Sequence, residues 1–149
     1  MDVSSAAPPP FFADGMPLPA LNRHTRPFWD ACREHRLLIQ CCRECGAHRS
    51  PPKPLCAGCG SFAYDWSESQ GLGRVFTYTI AHHCPHPVAS ASLPYNIAVI
   101  ELADCDRALL ISNVIDCKDD LLRVDLPVQL VWEDRSDGQT LYRFRPRSV

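Results

Sequence analysis

Four cysteines stand in two knuckles, Cys42 and Cys45 in CRECG and Cys56 and Cys59 in CAGCG. Each knuckle is a Cys-x-x-Cys followed directly by glycine, Gly46 or Gly60, a tight turn in which two thiolates can converge on one ion. Ten residues separate Cys45 from Cys56, enough for a small hairpin that brings the knuckles together. Four sulfur ligands without histidine favour a closed structural Zn²⁺ site, with no position left for water or substrate. A rubredoxin-like iron centre uses the same four thiolates, and two disulfides would use the same four atoms, so both readings stand beside zinc on spacing alone.

The nine cysteines are odd in number, and the opening MDVSSAAPPPFFADG has no basic segment followed by an apolar core. Both features lead us to expect a reducing cytoplasm. No run approaches the roughly 18 apolar residues of a membrane-spanning helix, so a soluble chain is expected. Cys41, beside Cys42, could exchange with it as a ligand, although its spacing to Cys45 is one residue too long. Cys32, Cys84, Cys105 and Cys117 are isolated and read as small buried hydrophobes.

The knuckles need elements to hold them. Residues 1–21 are proline-rich without periodic pattern and read as a flexible leader able to order against a partner. Residues 22–40 read as a helical segment: Thr25 is placed to cap, Pro27 suits a first turn, and Phe28, Trp29 and Cys32 share a face, with the end near Leu37. Residues 41–66 form the ribbon. Beyond it, strand signals recur at 75–80, 95–102, 108–114, 128–133 and 140–144, with turns at Asp104-Cys105-Asp106 and Asp137-Gly138. Five strands with one helical turn at Lys118–Leu122 fit an OB-type barrel over 67–149. The fold class is therefore mainly β: an N-terminal helix, a rubredoxin-like zinc ribbon and a five-stranded OB-fold barrel.

Charge divides at the same boundary. Residues 21–60 hold seven Lys/Arg against three Asp/Glu, and residues 61–149 hold eight against twelve. A nucleic-acid-binding OB barrel presents a basic groove, whereas this barrel is acidic on balance. The basic half could meet a smaller polyanion such as coenzyme A through Arg23, Arg26, Arg33, Arg36, Arg43, Arg49 or Lys53, or be a solvated basic face. One further cluster, His82-His83-Cys84-Pro85-His86, has side chains suited to a second metal or a general base, but Pro85 and Pro87 favour a rigid loop between the first two strands, and contact with a partner or ligand is an alternative role for it. Glu101 and Asp104 read as a solvated turn, and Trp66, Tyr78 and Trp132 as core. We see no Ser-His-Asp order, phosphate loop or paired carboxylates, and we assign no catalytic residue.

The order of these parts carries a resemblance. The stretch PFWDACREHRLLIQCCRECGAHRSPPKPLCAGCGS, then GLGRVFTYTIAHHCPHP, LPYNIAVIEL, LLISNV and a closing FRP, resembles the zinc-ribbon/OB-fold family of acyl-CoA-associated proteins. It covers about residues 25–146, and the family's ribbon cysteines fall on Cys42, Cys45, Cys56 and Cys59, its proline pair on Pro51 and Pro52. Two departures stand out: Asp125, where glycine often precedes the fourth strand, and the Asp104-Cys105-Asp106 turn. The family's histidine- and proline-bearing loop, here residues 82–86, has no known metal.

The resemblance implies an accessory subunit rather than an enzyme acting alone. Its partner would be a thiolase-fold protein that makes or breaks carbon–carbon bonds of acyl-CoA thioesters, a thiolase or retro-aldolase of lipid or sterol side-chain catabolism. This chain would hold the partner together or help it bind acyl-CoA. The alternatives are a single-stranded nucleic-acid-binding module and a purely structural scaffold.

Overall fold

The computed structural model describes residues 9–106 and 108–148. Helix α1 spans Arg26–Arg33. Strands β1 (Leu37–Cys42), β2 (His48–Arg49) and β3 (Tyr64–Ser69) follow, then β4 (Leu72–Ala81), the single-turn helix α2 (Pro87–Ser90), β5 (Tyr95–Leu102), β6 (Leu109–Ser112), β7 (Pro127–Asp134) and β8 (Thr140–Pro146). They form two antiparallel sheets, β2-β1-β3 in the ribbon and β6-β5-β4-β7-β8 in the barrel. The barrel's outer strands meet through a parallel bridge between Val114 and Phe144, with Phe144 N–H donating to Asn113 C=O and Ile115 N–H to Phe144 C=O. This is the expected mainly β architecture, with a ribbon followed by an OB-type sheet.

Three local expectations change. The helix ends at Arg33, not near Leu37, because His35 takes a left-handed conformation (φ 57°) and Arg36 N–H turns back to Ala31 C=O. Leu37–Gln40, expected as helix, instead lie in β1, where Leu37 and Ile39 reach the core. Thr25 makes no side-chain cap, and Asn22 Oδ1 accepts the backbone N–H of His24 and Thr25 in its place. The Lys118–Leu122 segment makes the expected single turn, with Leu121 and Leu122 N–H both donating to Lys118 C=O, and goes no further.

The core is one body. Phe28 and Cys32 of α1, Leu37 and Ile39 of β1, and Val75, Ile100, Leu110, Val128 and Phe144 of the barrel pack in a single cluster. Trp66 and Trp132 flank it as expected, whereas Tyr78 is 37% exposed. The base of the ribbon thus shares its apolar interior with the barrel.

Of the expected leader, residues 1–8 lie outside the described residues. From Pro9 on it has no regular structure, yet it is anchored. Phe12 is buried, Phe11 N–H donates to Glu133, and both rings pack edge-on against Tyr95. Beneath them Arg143 donates to Glu133 and Asn113, its guanidinium 5.3 Å from the Phe11 ring centre. Proline content concealed this attachment, because two consecutive phenylalanines supply apolar area that offsets the ordering entropy of a short segment.

Candidate metal centre

The first knuckle closes when Gly46 N–H donates to Cys42 C=O and Cys42 N–H to Ala47 C=O. The second repeats this with Gly60 to Cys56 and Cys56 to Ser61. Both glycines have positive φ, 74° and 77°, which an L side chain resists. The two turns are therefore near copies, each aiming two sulfurs at the same point.

Strand β1 positions the pair. Cys42 is its last residue, opposite Tyr64 of β3, and Gln40 two residues earlier is fully buried. The Gln40 side-chain oxygen accepts from Arg49 Nε and from the Lys53 backbone N–H, which ties the segment before the second knuckle to the first. Arg49 also donates to Lys53 C=O and lies 5.3 Å from the Tyr64 ring centre.

The four sulfurs converge. Cys42 and Cys59 Sγ are 3.6 Å apart, as are Cys45 and Cys56, and all four ligand atoms lie within 4.8 Å of one another. A tetrahedral ion with Zn–S bonds of about 2.3 Å spaces its sulfurs by about 3.8 Å, so the donor set fits zinc. The N–H groups of Cys59 and Gly58 hold the Cys56 thiol down at about 6, and those of Cys45 and Glu44 lower Cys42. For Cys59 the Ser61 N–H pulls downward but the surrounding sulfurs prevail, raising it to about 12. Four thiolates this close repel unless a cation sits among them. All nine cysteines are free, which removes the disulfide reading.

The neighbouring candidates separate from this cluster. Cys41 Sγ contacts Gly46 C=O and is not one of the four. Cys32 and Cys105 are buried as expected, and burial pushes Cys32 up to about 12, but Cys84 and Cys117 are only half-buried. His82 and His83 are exposed, and among the described residues the four cysteines are the one group of His, Cys, Asp and Glu side chains with metal-ligand geometry. Glu101 pairs with Arg74, and Asp104 accepts from the Ser69 hydroxyl and the Gln70 N–H, so neither is a purely solvated turn residue. Asp125 has φ 66°, in the left-handed region that glycine adopts most readily.

Part of the basic face is committed to ion pairs. Arg33 pairs with Asp30, Arg36 with Glu68 and Arg43 with Asp65. Arg49 donates to Gln40 and to Lys53 C=O, and Arg23, Arg26 and Lys53 are in no ion pair among the described residues.

Two family profiles match adjoining segments. The ChsH2 rubredoxin-like zinc ribbon domain covers residues 29–65, and the ChsH2 C-terminal OB-fold domain covers residues 66–133. The ribbon match and the four-cysteine cluster identify the metal as structural zinc. A probable enoyl-CoA hydratase alpha subunit of Thermomonospora curvata is 39% identical over 87% of this chain and 40% of its own length. The 3-oxo-4,17-pregnadiene-20-carboxyl-CoA hydratase alpha subunit of Mycobacterium tuberculosis is 30% identical over 95% of this chain and 44% of its own. This chain therefore spans less than half the length of either relative. A DUF35 domain-containing scaffold protein of Pyrococcus furiosus is 28% identical over 80% of this chain and 90% of its own. Among solved structures, a chain of the Ltp2-ChsH2(DUF35) aldolase superposes with a TM-score of 0.75 at 38% identity, covering 87% of this chain and 98% of that one. With a zinc ribbon, an OB-type barrel and these likenesses in register, the chain belongs to the ChsH2-type DUF35 family of zinc-ribbon/OB-fold proteins.

Proposed function

We propose that this chain is the accessory subunit of a heteromeric acyl-CoA enzyme of sterol or lipid catabolism, and that its partner is a thiolase-fold aldolase or thiolase. The observation that carries the reading is the likeness to the aldolase chain, 38% identical with 98% of that chain covered. The hydratase alpha subunits among its relatives are likewise named as parts of larger assemblies. The site chemistry agrees. A centre with Cys42, Cys45, Cys56 and Cys59 as its four ligands is coordinatively closed and structural. Division of labour follows: the partner supplies the reacting groups, while this chain buries part of the partner's surface and shapes its acyl-CoA entrance. Nine free thiols suit a reducing cytoplasm.

Affinity purification of the tagged chain from its source cells, with the co-purifying proteins identified by mass spectrometry, tests the reading. A thiolase-fold subunit in stoichiometric amount, with acyl-CoA turnover by the complex and none by this chain alone, is the expected result. Enzyme-like turnover by the isolated chain, or nucleic acid in place of a protein partner, would overturn it.

A further inference from the structure

The strand edges of this fold are treated unequally. In the ribbon, edge strand β2 is two residues long, and edge strand β3 carries Asp65 and Glu68, each in an ion pair. Short length and charge are the usual protections of an edge against stray pairing. In the barrel, the segment after β6 reaches β8 through the Val114–Phe144 bridge, and within the four-residue β6 the Ser112 hydroxyl donates to Tyr142 C=O of β8. Strand β4 leaves a longer uncharged edge open. It pairs with β7 only over Leu72–Arg74, and Val75 exchanges backbone bonds with Asp125 and Leu126. Its pairing with β5 continues to Ala81. A register shift between Val75 and Thr77 turns the strand away from β7.

Phe76–Ala81 therefore present one row of backbone N–H and C=O groups with no backbone partner among the described residues. The segment reads FTYTIA, with no charge, no proline and no glycine. Phe76 is 49% and Tyr78 37% exposed, and Thr77 and Thr79 are also exposed. An apolar, β-prone edge without protection is a liability in a free protein, and is consistent with one that is covered in an assembly.

We propose that the Phe76–Ala81 edge of β4 is a docking strand, and that its occupant is an extended, uncharged strand of the partner subunit added to the barrel sheet by backbone hydrogen bonds. The proposal rests on the accessory-subunit reading. Size argues against a second copy of this chain: pairing two copies of this edge engages six residues a side, whereas a specific interface takes roughly 20–30 residues a side. The edge suffices only as one part of a larger contact. The absence of charge sets the chemistry of the occupant, because a lysine or carboxylate beside this strand would lose its water without gaining a partner.

The test uses the complex isolated with the full wild-type chain. Hydrogen exchange is read on the Phe76–Ala81 amides in the free chain and in the complex, and partner affinity is compared for wild type, Thr77→Lys, Thr79→Lys and the exposed ribbon variant Phe62→Lys. Both threonines are exposed, so an unchanged melting profile confirms that the variants fold. Slowed exchange of alternate amides in the complex, with partner affinity about tenfold or more weaker for the lysine variants, is the expected outcome. Exchange unchanged in the complex, or affinities within about twofold of wild type at both threonines, would refute the docking strand while leaving the accessory reading intact. A concentration-dependent homodimer that protects the same amides would replace the partner with a second copy. A wild-type chain that forms no complex removes the accessory reading, and the proposal falls with it.

Discussion

The two ends of the ribbon are held by different forces. At the base, Leu37 and Ile39 are each 1% exposed and pack with Ile100 and Phe144 of the barrel. At the tip, Cys45 and Cys59 are exposed, and Leu55 and Phe62 are 45% and 73% exposed. Few apolar atoms are buried there, and the sulfur cluster takes the place of a core. The difference shows that the ribbon is two half-modules: a metal-dependent tip on a base that is part of the barrel.

The largest expected effect is at the tip. Structural zinc sites in small modules contribute on the order of 10–16 kcal/mol at neutral pH. Cys56→Ser, or removal of zinc by a chelator, should abolish the one-per-chain zinc content and the exchange protection of residues 42–61. The base should stay protected, because Leu37 and Ile39 are held by the barrel. Retention of one zinc per chain with unchanged protection would remove Cys56 from the ligand set. Collapse of barrel and tip together would erase the distinction between the two halves.

Ile39→Ala probes the other half. Deleting most of a fully buried aliphatic side chain costs about 2–5 kcal/mol. Since Ile39 belongs to the common cluster, thermal unfolding should shift as one transition for ribbon base and barrel, with zinc still bound. The matched change at the tip, Leu55→Ala, should stay within about 0.5 kcal/mol because that side chain is 45% exposed. Equal losses at the two sites would refute the contrast.

The sequence made the tip more legible than the base. Knuckle spacing and the glycines at positive φ are local signals, and β5 begins and ends where its alternating pattern does, at Tyr95–Leu102. What escaped is settled by distant packing. LLIQ at 37–40 has apolar residues on both faces, a pattern that suits a buried helix end as well as a buried strand. Pairing with Ser69, Glu68, Ser67 and Trp66 makes it a strand. The Phe11–Phe12 anchor depends on a buried Arg143–Glu133 pair formed by residues more than a hundred positions later. The family resemblance pointed to a partner, but the unprotected β4 edge emerged only when the register showed where β7 stops.

A third change tests the hinge between the sheets. Gly71, between β3 and β4, has φ 72°, and an added Cβ would collide with Leu130 Cβ of β7. Gly71→Ala should cost about 1–3 kcal/mol through strain and overpacking. Its expected signature is a lower melting temperature at unchanged zinc content, again separating barrel from tip. Zinc loss in this variant would mean that the tip depends on the sheet junction.

The smallest effect concerns acid. His35 Nε2 lies 2.9 Å from Asp134 Oδ1, which also accepts from the Thr140 hydroxyl. The His35 contact, then the Thr140 hydrogen bond, holds Asp134 below the usual carboxylate range. A carboxyl depressed in the folded state binds fewer protons folded than unfolded just below its ordinary pKa of about 3.9. The stability it contributes is thus full above that value and is lost as pH falls through the lower, folded one. Both side chains are about half exposed, 48% and 58%, so the contribution is on the order of a few tenths of a kcal/mol. Denaturant titrations of wild type and Asp134→Asn should differ by that amount at pH 6 and converge in strong acid. Zinc responds to acid sooner, because protons compete for thiolates at pH values where this carboxyl is still ionised. On acidification the tip should lose its exchange protection before the Asp134 difference disappears, and the reverse order would show that the metal is not what holds the tip.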